Sequence, residues 1–179
     1  MQLSNAATRL ALRYSLIVVI SLGATQCNVF RESGSRPAST AEKGDSALRG
    51  NIIQYARKYE GSKYTAAGKT PKTGFDCSGF TSYVMKEFDI NLSPSAREQA
   101  KQGAKKSVKE ARPGDLIFFR RGKNDPIFHV SLVVANNGKS LTVVHSTTSR
   151  GVIVEDIYKS PFWKDKVDSV RDVMSLKSR

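Results

Sequence analysis

The chain has 179 residues, enough for one domain with a substantial core, and its composition is that of an ordinary globular protein. It is strongly basic, with 29 lysines and arginines against 16 aspartates and glutamates. Such a charge fits nucleic acid, a membrane surface or an anionic cell envelope, and it also serves solubility. The basic residues are spread along the chain without a nucleic-acid-binding motif, so no nucleic-acid partner is predicted.

Residues 1–26 have the pattern of a secretory signal peptide. Arg9 and Arg13 precede an apolar run at 14–24, and no acidic residue occurs before Glu32. An apolar run of about ten residues is too short to span a bilayer, but it matches the apolar region of an export signal. The protein is therefore predicted to be exported to the periplasm or cell envelope.

Cys27 follows the apolar run, at the position where bacterial lipoproteins carry their lipid-modified cysteine. The preceding Ala24–Gln26 match that signal only in part, because Gln26 is bulky where a small residue is expected. We expect lipidation of Cys27 and attachment to the outer membrane, with ordinary secretion as the alternative. Lipidation or removal of Cys27 leaves Cys77 without a disulfide partner.

Residues 27–45 are predicted to form a flexible tether, because they are rich in serine, glycine and charge. The folded domain is predicted to span 46–179. Its first element is a helix over Ser46–Tyr59, where apolar side chains recur at helical spacing. A loop rich in glycine, lysine and threonine follows at 62–74 and carries Tyr64.

The segment Gly74–Phe80 reads Gly-Phe-Asp-Cys-Ser-Gly-Phe and leads into the next predicted helix, because apolar residues recur after it at three- and four-residue steps. Cys77 therefore falls in a first helical turn, where unpaired backbone N–H groups and the helix dipole favour a thiolate. Such a position, particularly beside a histidine, lowers the cysteine pKa from its usual value of roughly 8.5. These features favour a nucleophile over the commoner small buried cysteine.

A short helix is predicted at Ser93-Pro94-Ser95, with serine as the N-cap, proline in the first turn and Gly103 at the end. The pattern then changes to strands, which are predicted at 116–119, 129–135, 140–146, 151–157 and 167–173. Helices followed by a run of strands indicate an α+β domain with a largely antiparallel sheet of about five strands.

The two histidines of the chain, His129 and His145, lie at the ends of one predicted hairpin with the loop Asn136–Gly138. If Ala135 pairs with Lys139, His129 lies directly opposite His145 on the same face, with Cβ atoms about 5 Å apart. A slip of one residue would put the two side chains on opposite faces.

Three interpretations of these residues are open. In a catalytic triad, one imidazole takes the proton of Cys77 and the other fixes the tautomer of the first. Alternatively, both histidines are partly buried strand residues with local partners. A metal site is the third option, although neither a spaced carboxylate nor a second cysteine accompanies the three side chains.

Four blocks of sequence, taken together and in order, resemble the NlpC family of cell-wall cysteine peptidases. They are Gly74–Phe80, Arg112–Phe119, His129–Ser131 and Val144–Ser146. The resemblance runs from about Ser46 to the end of the chain and is greatest to the small, single-domain lipoprotein-type members. It implies a papain-like α+β fold and a thiol protease, a hydrolase that cleaves peptidoglycan stem peptides. No cofactor is expected, and we expect a monomer.

The resemblance also implies roles for individual residues. Cys77 is the nucleophile, His129 is the general base and later the acid, and His145 orients His129. The Cys77 backbone N–H is the natural donor to the oxyanion.

Three further residues match positions of the family that line the substrate groove. Tyr64 aligns with a tyrosine whose hydroxyl assists the reaction. Asp76 and Ser78 align with residues that shape the pocket and contact a stem-peptide amine. Structural roles are equally open for the last two, since Asp76 suits a helix N-cap and Ser78 an ordinary first turn.

Two departures from the family pattern fall on the predicted walls of the substrate groove. Thr65–Gly68 stands where the family often has Trp-Gly-Gly, and Ser93-Pro94 stands where relatives often have Pro-Arg. The cleaved bond therefore stays open between D-glutamyl–diaminopimelate within a stem and the D-alanyl–diaminopimelate cross-link. A non-catalytic wall-binding or scaffold lipoprotein and an acyl transferase on the same fold are the alternatives. The three filled triad positions favour the endopeptidase.

Overall fold

The computed structural model describes residues 39–177. The predicted signal peptide, Cys27 and the first part of the predicted tether lie outside these residues. Within residues 39–177, no helix is long and apolar enough to cross a membrane. Three α-helices come first in the chain: α1 Thr40–Arg57, α2 Cys77–Lys86 and α3 Ala96–Gln99.

The main sheet has six strands: β3 Ala104–Lys106, β4 Leu116–Arg120, β5 Ile127–Asn136, β6 Leu141–Thr147, β7 Gly151–Asp156 and β8 Val167–Asp172. Their order is β3-β8-β4-β5-β6-β7, and every neighbouring pair is antiparallel. A separate ribbon, β1 Lys69–Thr70 with β2 Gly74–Phe75, precedes α2. Short 3₁₀ turns occur at Val108–Glu110, Ile157–Lys159, Lys164–Lys166 and Met174–Leu176. The predicted α+β class is confirmed.

Helix α1 begins at Thr40, six residues before the predicted start, so the tether prediction is wrong for residues 40–45. Its start is defined by a capping box. Ser39 Oγ accepts a 3.2 Å hydrogen bond from the Glu42 N–H, and Glu42 Oε2 accepts one of 2.7 Å from the Ser39 N–H. The first turns are polar and largely exposed, so apolar periodicity does not reveal them.

Two short elements near α3 also differ from prediction. The N-cap of α3 is Ser95 rather than Ser93, and Ser95 Oγ accepts a 3.4 Å hydrogen bond from the Glu98 N–H. The edge strand β3 was not predicted, because its sequence Ala-Lys-Lys has no apolar alternation. Lysines on an exposed edge are a usual protection against pairing with other chains.

The sheet is covered on both faces, which explains why its strands read as nearly continuous apolar runs. On one face, α1 and α2 pack around the fully buried Ile52, Phe80 and Val130. On the other face, Phe119 packs with Trp163 and with the residues that alternate outwards from the same strands. Burial of one such side chain stabilises the fold by about 1.5–3 kcal/mol.

A buried arginine joins α1 to the sheet. Arg49 is 4% exposed and donates hydrogen bonds to the fully buried Asp115 (2.7 Å), to Asp172 (2.9 Å) and to Asp45 (3.0 Å). Asp115 lies in the turn before β4, and Asp172 ends β8. This ion network therefore ties three segments that are far apart in sequence.

The hairpin of β5 and β6 has a register different from the predicted one. Asn136 pairs with Leu141 and Ala135 with Thr142, so the predicted pairing of Ala135 with Lys139 is wrong. The loop is one residue longer than predicted, because Asn137 Oδ1 accepts hydrogen bonds from the backbone of Lys139 and of Ser140. A β-bulge then occurs between Val133 and Ala135.

This bulge decides which face each histidine occupies. Beyond it, Leu132 pairs with Val144, which puts His145 beside Ser131 on the face that His129 shares. Without the bulge, the register seen at the loop would continue, and His145 would lie opposite Leu132. Leu132 is on the opposite face of the sheet from His129, so the two histidines would be separated. The predicted placement of both histidines on one face is confirmed, although not as a directly opposed pair.

Candidate active site

Cys77 begins α2, as the apolar periodicity predicts. Asp76 is the N-cap, and its Oδ1 accepts a 2.6 Å hydrogen bond from the Gly79 N–H, which confirms the predicted capping role. Position 79 requires glycine, because a Cβ there would collide with the carbonyl oxygen of Gly68. The Asp-Cys-Ser-Gly sequence thus fixes the cysteine at a helix start against the preceding loop.

The half-buried Cys77 lies in a cleft of about 510 Å³. Tyr64 and His129, both predicted site residues, line the same cleft. Two arginines, Arg121 and Arg150, also line it. A thiol, an imidazole and two guanidinium groups therefore line one space, which suits a substrate that carries carboxylates.

His145 lies behind His129 and is fully buried. His129 Nε2 is 3.0 Å from His145 Nδ1, and Ser131 Oγ is 2.8 Å from the same nitrogen. Because Nε2 of His129 is engaged with His145, Nδ1 is the nitrogen left for the cleft. This is the geometry of a base held by a second polar side chain.

Glu155 continues this chain of contacts and was missed by the sequence analysis. Its Oε1 is 2.8 Å from His145 Nε2 and accepts hydrogen bonds from Arg150 (2.7 Å) and from the indole N–H of Trp163 (3.0 Å). Strand pairing could have pointed to Glu155, because β6 and β7 form a hairpin in which His145 lies opposite Ile153. Residues two apart share a face, so Glu155 is a diagonal neighbour of His145.

Burial and charge set the protonation of these groups. Burial lowers the pKa of His129 well below its usual range; His145 adds to the effect and Glu155 opposes it. Burial also lowers the pKa of His145, again against the effect of Glu155. The hydrogen bonds from His145 and Arg150 lower the pKa of Glu155 to about 2 despite its partial burial. At neutral pH, two neutral imidazoles therefore stand beside an ionised carboxylate.

The thiol itself has a raised pKa, so the predicted lowering is wrong. Burial, with a smaller contribution from the charge of Asp76, raises the pKa of Cys77 to about 11. The backbone N–H groups of Val130, Ser78 and Cys77 oppose this effect without cancelling it. The helix start does supply hydrogen-bond donors, but they lower the thiol pKa by less than desolvation of the thiolate raises it.

The remaining predicted contacts are placed as follows. Tyr64 is half-buried at the cleft, and its backbone forms a bridge with Phe75. Ser78 is buried, and its hydroxyl lies 3.0 Å from the Pro94 carbonyl oxygen and 3.1 Å from Asp76 Oδ1. Contact of Asp76 and Ser78 with a substrate amine stays a prediction.

An aromatic wall covers the histidines. The Trp163 ring stacks on His129, with centroids 4.5 Å apart and planes at 28°. Phe128 stacks on Trp163, and the guanidinium of Arg121 lies 4.2 Å from the centroid of Phe128. Phe162 stands beside this wall as an exposed large apolar side chain. The wall restricts rotation of the His129 ring and keeps one of its faces from water.

The metal interpretation finds no support in the described part of the chain. Among residues 39–177, no group of three or more histidine, cysteine, aspartate or glutamate side chains is arranged to hold a metal ion. The imidazoles of His129 and His145 and the carboxylate of Glu155 instead form hydrogen bonds with one another.

Comparison with known proteins bears on the same segment. The model of the NlpC/P60 family matches residues 61–172, which is most of the described domain. The chain belongs to the NlpC/P60 family. This result confirms the resemblance drawn from the four sequence blocks.

Two curated relatives and one solved structure illustrate the similarity. The chain is 37% identical over 129 residues to the murein DD-endopeptidase MepS/murein LD-carboxypeptidase of Escherichia coli K12, covering 72% of this chain and 64% of that protein. It is 35% identical over 113 residues to the gamma-DL-glutamyl hydrolase of Bacillus subtilis, covering 63% and 27%. A Staphylococcus aureus structure described as similar to a lipoprotein of the NLP/P60 family matches with a TM-score of 0.62 and 32% identity, covering 72% and 42%. The chain thus spans less than two thirds of the length of these proteins.

Proposed function

We propose that this protein is a cysteine endopeptidase that hydrolyses amide bonds in peptidoglycan stem peptides or cross-links. Cys77 is the nucleophile, His129 is the general base and His145 orients it. The observation that carries this proposal is the shared cleft of Cys77 and His129, with His145 bonded behind His129. The NlpC/P60 membership and the names of the two relatives support the substrate class.

The first half of the reaction forms an acyl-enzyme. Since the thiol pKa is raised and the His129 pKa is lowered, the resting pair is neutral. The proton passes from Sγ to Nδ1 of His129 as sulfur attacks the amide carbonyl. The Cys77 backbone N–H lies at the helix start, where it can donate to the oxyanion. Collapse of this intermediate breaks the C–N bond, and His129 returns its proton to the leaving amine.

The second half releases the acid. Water gives a proton to His129 and attacks the thioester carbonyl, and the sulfur leaves as the carboxylic acid forms. His129 then returns the proton to sulfur, which restores the neutral pair. Tyr64 lines the cleft beside the thiol, so its hydroxyl is available to the substrate carbonyl.

The cleaved bond is one of two candidates. One relative is named a gamma-DL-glutamyl hydrolase, and the other a DD-endopeptidase and LD-carboxypeptidase. Both candidate bonds involve diaminopimelate, whose carboxylates suit a cleft lined by Arg121 and Arg150. An envelope location follows from this substrate, and lipid attachment at Cys27 after a signal peptide over 1–26 is the proposed means of targeting.

Mass spectrometry of products tests the proposal. Diaminopimelate-type peptidoglycan is incubated with the full chain and with its Cys77→Ala variant. Collapse of cross-linked dimers to monomers that requires Cys77 identifies a cross-link endopeptidase. Shortening of stems to dipeptides that requires Cys77 identifies cleavage beside D-glutamate. Products transferred to an added amine instead of water indicate an acyl transferase, and absence of any Cys77-dependent product indicates a wall-binding protein.

A further inference from the structure

Glu155 occupies an unusual position for a carboxylate outside the predicted triad. Its side chain is 16% exposed, and a single oxygen, Oε1, is shared by three nitrogens from His145, Arg150 and Trp163. Surface ion pairs seldom collect this many donors on one atom. The three donors come from different segments, a strand (His145), a loop (Arg150) and a turn (Trp163), so they fix the carboxylate from three sides.

The hydrogen bonds determine the tautomer of each histidine in turn. An ionised carboxylate can only accept, so Nε2 of His145 carries its proton. Nδ1 of the neutral His145 is then an acceptor for the two groups near it, Ser131 Oγ–H and the Nε2–H of His129. With its proton on Nε2, neutral His129 has an unprotonated Nδ1, which is the nitrogen left for the cleft.

We propose that Glu155 is a positioning residue of the reaction, which acts through His145 to keep Nδ1 of His129 able to accept the thiol proton. This inference rests on the proposed cysteine peptidase function and adds a fourth residue to it. Glu155 touches neither the sulfur nor the proposed substrate position, so its effect passes entirely through the two imidazoles.

The consequence of losing Glu155 follows from the same chain of contacts. Without an acceptor at Nε2, His145 is free to carry its proton on Nδ1 and to donate to Nε2 of His129. His129 then holds its proton on Nδ1, where it faces the thiol as a donor and cannot serve as base. A wrong tautomer caused by loss of an orienting acid costs a serine peptidase about 10⁴-fold in kcat.

Glu155 also affects the charge that develops during the reaction. An imidazolium forms at His129, and the negative charge of Glu155 favours it through the buried His145. Other charged and titratable groups face this chain. Arg150 opposes the effect of Glu155, Asp76 and Tyr64 lie near the thiol, and Arg121 lines the cleft.

Trp163 connects both parts of this arrangement. Its indole N–H holds Glu155, and its ring stacks on His129. The same side chain therefore fixes the orienting carboxylate and the plane of the base. A carboxylate held in this way keeps its direction towards His145 even though the adjacent Arg150 side chain is exposed.

Histidine NMR tests the proposal without any substrate. The chain has only two histidines, so long-range ¹H–¹⁵N spectra of the labelled full chain report both tautomers directly. We expect the Nε2–H form for both rings in the unchanged protein. Glu155→Ala is expected to give an Nδ1–H population at His145 and His129. In Glu155→Gln, the donors of Arg150 and Trp163 select the amide oxygen for the position of Oε1, so an acceptor still faces His145 and this variant is expected to restore the Nε2–H forms.

Kinetics on cross-linked dimers and tetrapeptide stems from diaminopimelate-type peptidoglycan provide the second readout. For Glu155→Ala we expect a kcat about ten- to a hundred-fold lower, with KM changed by less than about threefold, because general-base catalysis is lost but the cleft is not. Glu155→Gln is expected to recover most of kcat, with the acid limb of its pH profile moved to lower pH because the charge of Glu155 is missing.

Asp168→Ala is the matched control. Asp168 lies on β8 and is a partly exposed carboxylate paired with Arg120 of β4, and it has no contact with the histidines among the ion pairs of the described residues. It should leave the tautomers and kcat unchanged. Unaltered tautomers in a folded Glu155→Ala protein, or equal changes in Asp168→Ala, would overturn the proposal. If the unchanged protein shows no Cys77-dependent hydrolysis, the proposed function fails, while the NMR result still decides the role of Glu155.

Discussion

The domain contains two largely buried networks of polar and charged side chains, one around Arg49 and one around Glu155, and they consist of different chemical groups. The Arg49 network pairs a permanent cation with Asp115 and Asp172, and it joins α1 to the start of β4 and the end of β8. The Glu155 network contains a single fixed anion and two imidazoles that remain neutral at pH 7. The first network is built around a permanent cation, whereas the second is built around two imidazoles whose pKa values are lowered by burial.

Burial has opposite uses in the two networks. Around Arg49, the carboxylates of Asp115 and Asp45 raise the guanidinium pKa against the effect of burial, so the charge is permanent and the network acts as a structural link. Around His129, burial lowers the pKa and keeps the imidazoles of His129 and His145 neutral. The same low-dielectric interior thus holds a paired charge in one place and keeps the proposed base neutral in another.

Removal of Arg49 should produce the largest loss of stability. Arg49→Ala leaves the fully buried Asp115 without its close cation, whereas Asp172 keeps Lys106 and Arg112, so we expect the free energy of unfolding to fall by about 3–5 kcal/mol. Urea unfolding measures this change. The control is Arg57→Ala on the same helix, where an exposed pair with Glu60 contributes about 0–1 kcal/mol. Equal effects of the two variants would show that the Arg49 network is not a structural link.

Removal of His129 should affect rate rather than stability. His129→Gln is expected to lower kcat by about 10²–10⁴-fold because the proposed general base is absent. Its Tm should change far less than that of Arg49→Ala. Kinetics on muropeptide substrates and thermal unfolding of the same samples check both parts. A loss of activity that merely follows a loss of Tm would contradict the division between the two networks.

The neutral resting state of the thiol can be measured by alkylation. With the Cys77 pKa raised to about 11, the thiolate fraction at pH 7 is about three-hundredfold below that of a free cysteine with a pKa of roughly 8.5. The full chain carrying Cys27→Ser is treated with iodoacetamide between pH 6 and 11. We expect slow alkylation at pH 7 and a steep rise towards pH 11. A fast reaction that is constant above pH 6 would instead indicate a thiolate–imidazolium pair.

The free energy of unfolding should also decrease between pH 7 and pH 5. The folded chain keeps His129 and His145 neutral, whereas histidine in the unfolded chain protonates with a pKa of about 6.5. Below that pH the unfolded state binds more protons, so stability falls by at most about 1.4 kcal/mol per pH unit for each histidine. Urea midpoints at pH 7.5, 6.0 and 5.0 measure the effect.

The double variant His129→Gln/His145→Gln should lose this dependence, because the chain has no other histidine. Burial raises the pKa of Asp115, which contributes in the opposite direction at lower pH, and the double variant separates the two effects. A midpoint in the unchanged protein that is constant from pH 7.5 to 5.0 would show that the histidines are not held neutral.

Local patterns in the sequence predict much of this fold. Apolar spacing places Cys77 at the start of α2, and apolar runs separated by turn residues predict five of the six strands of the main sheet. What the patterns miss depends on polar or distant contacts. The start of α1 depends on the capping box of Ser39, and the register of β5 depends on a bulge that has no marker in the sequence.

The electrostatics of the site are the least predictable part. A helix start alone indicates a lowered thiol pKa, but the actual shift of Cys77 is set by burial from segments far away in sequence. Glu155 could have been found from strand parity, since it lies diagonally across from His145. Its three hydrogen bonds could not, because Arg150 and Trp163 approach it from a loop and a turn.

The bulge at Val134 has a consequence for exchanging parts between related chains. The four-residue loop at 137–140 and the bulge each change the pairing of β5 with β6 by one residue. Together they keep His129 and His145 on the same face of the sheet. A grafted loop that is one residue longer or shorter, without a change at the bulge, would shift the pairing of β5 with β6 by one residue. Every side chain from His129 to Val133 would then move to the opposite face of the sheet, and the imidazole of His129 would point away from Cys77 although the local sequence is unchanged.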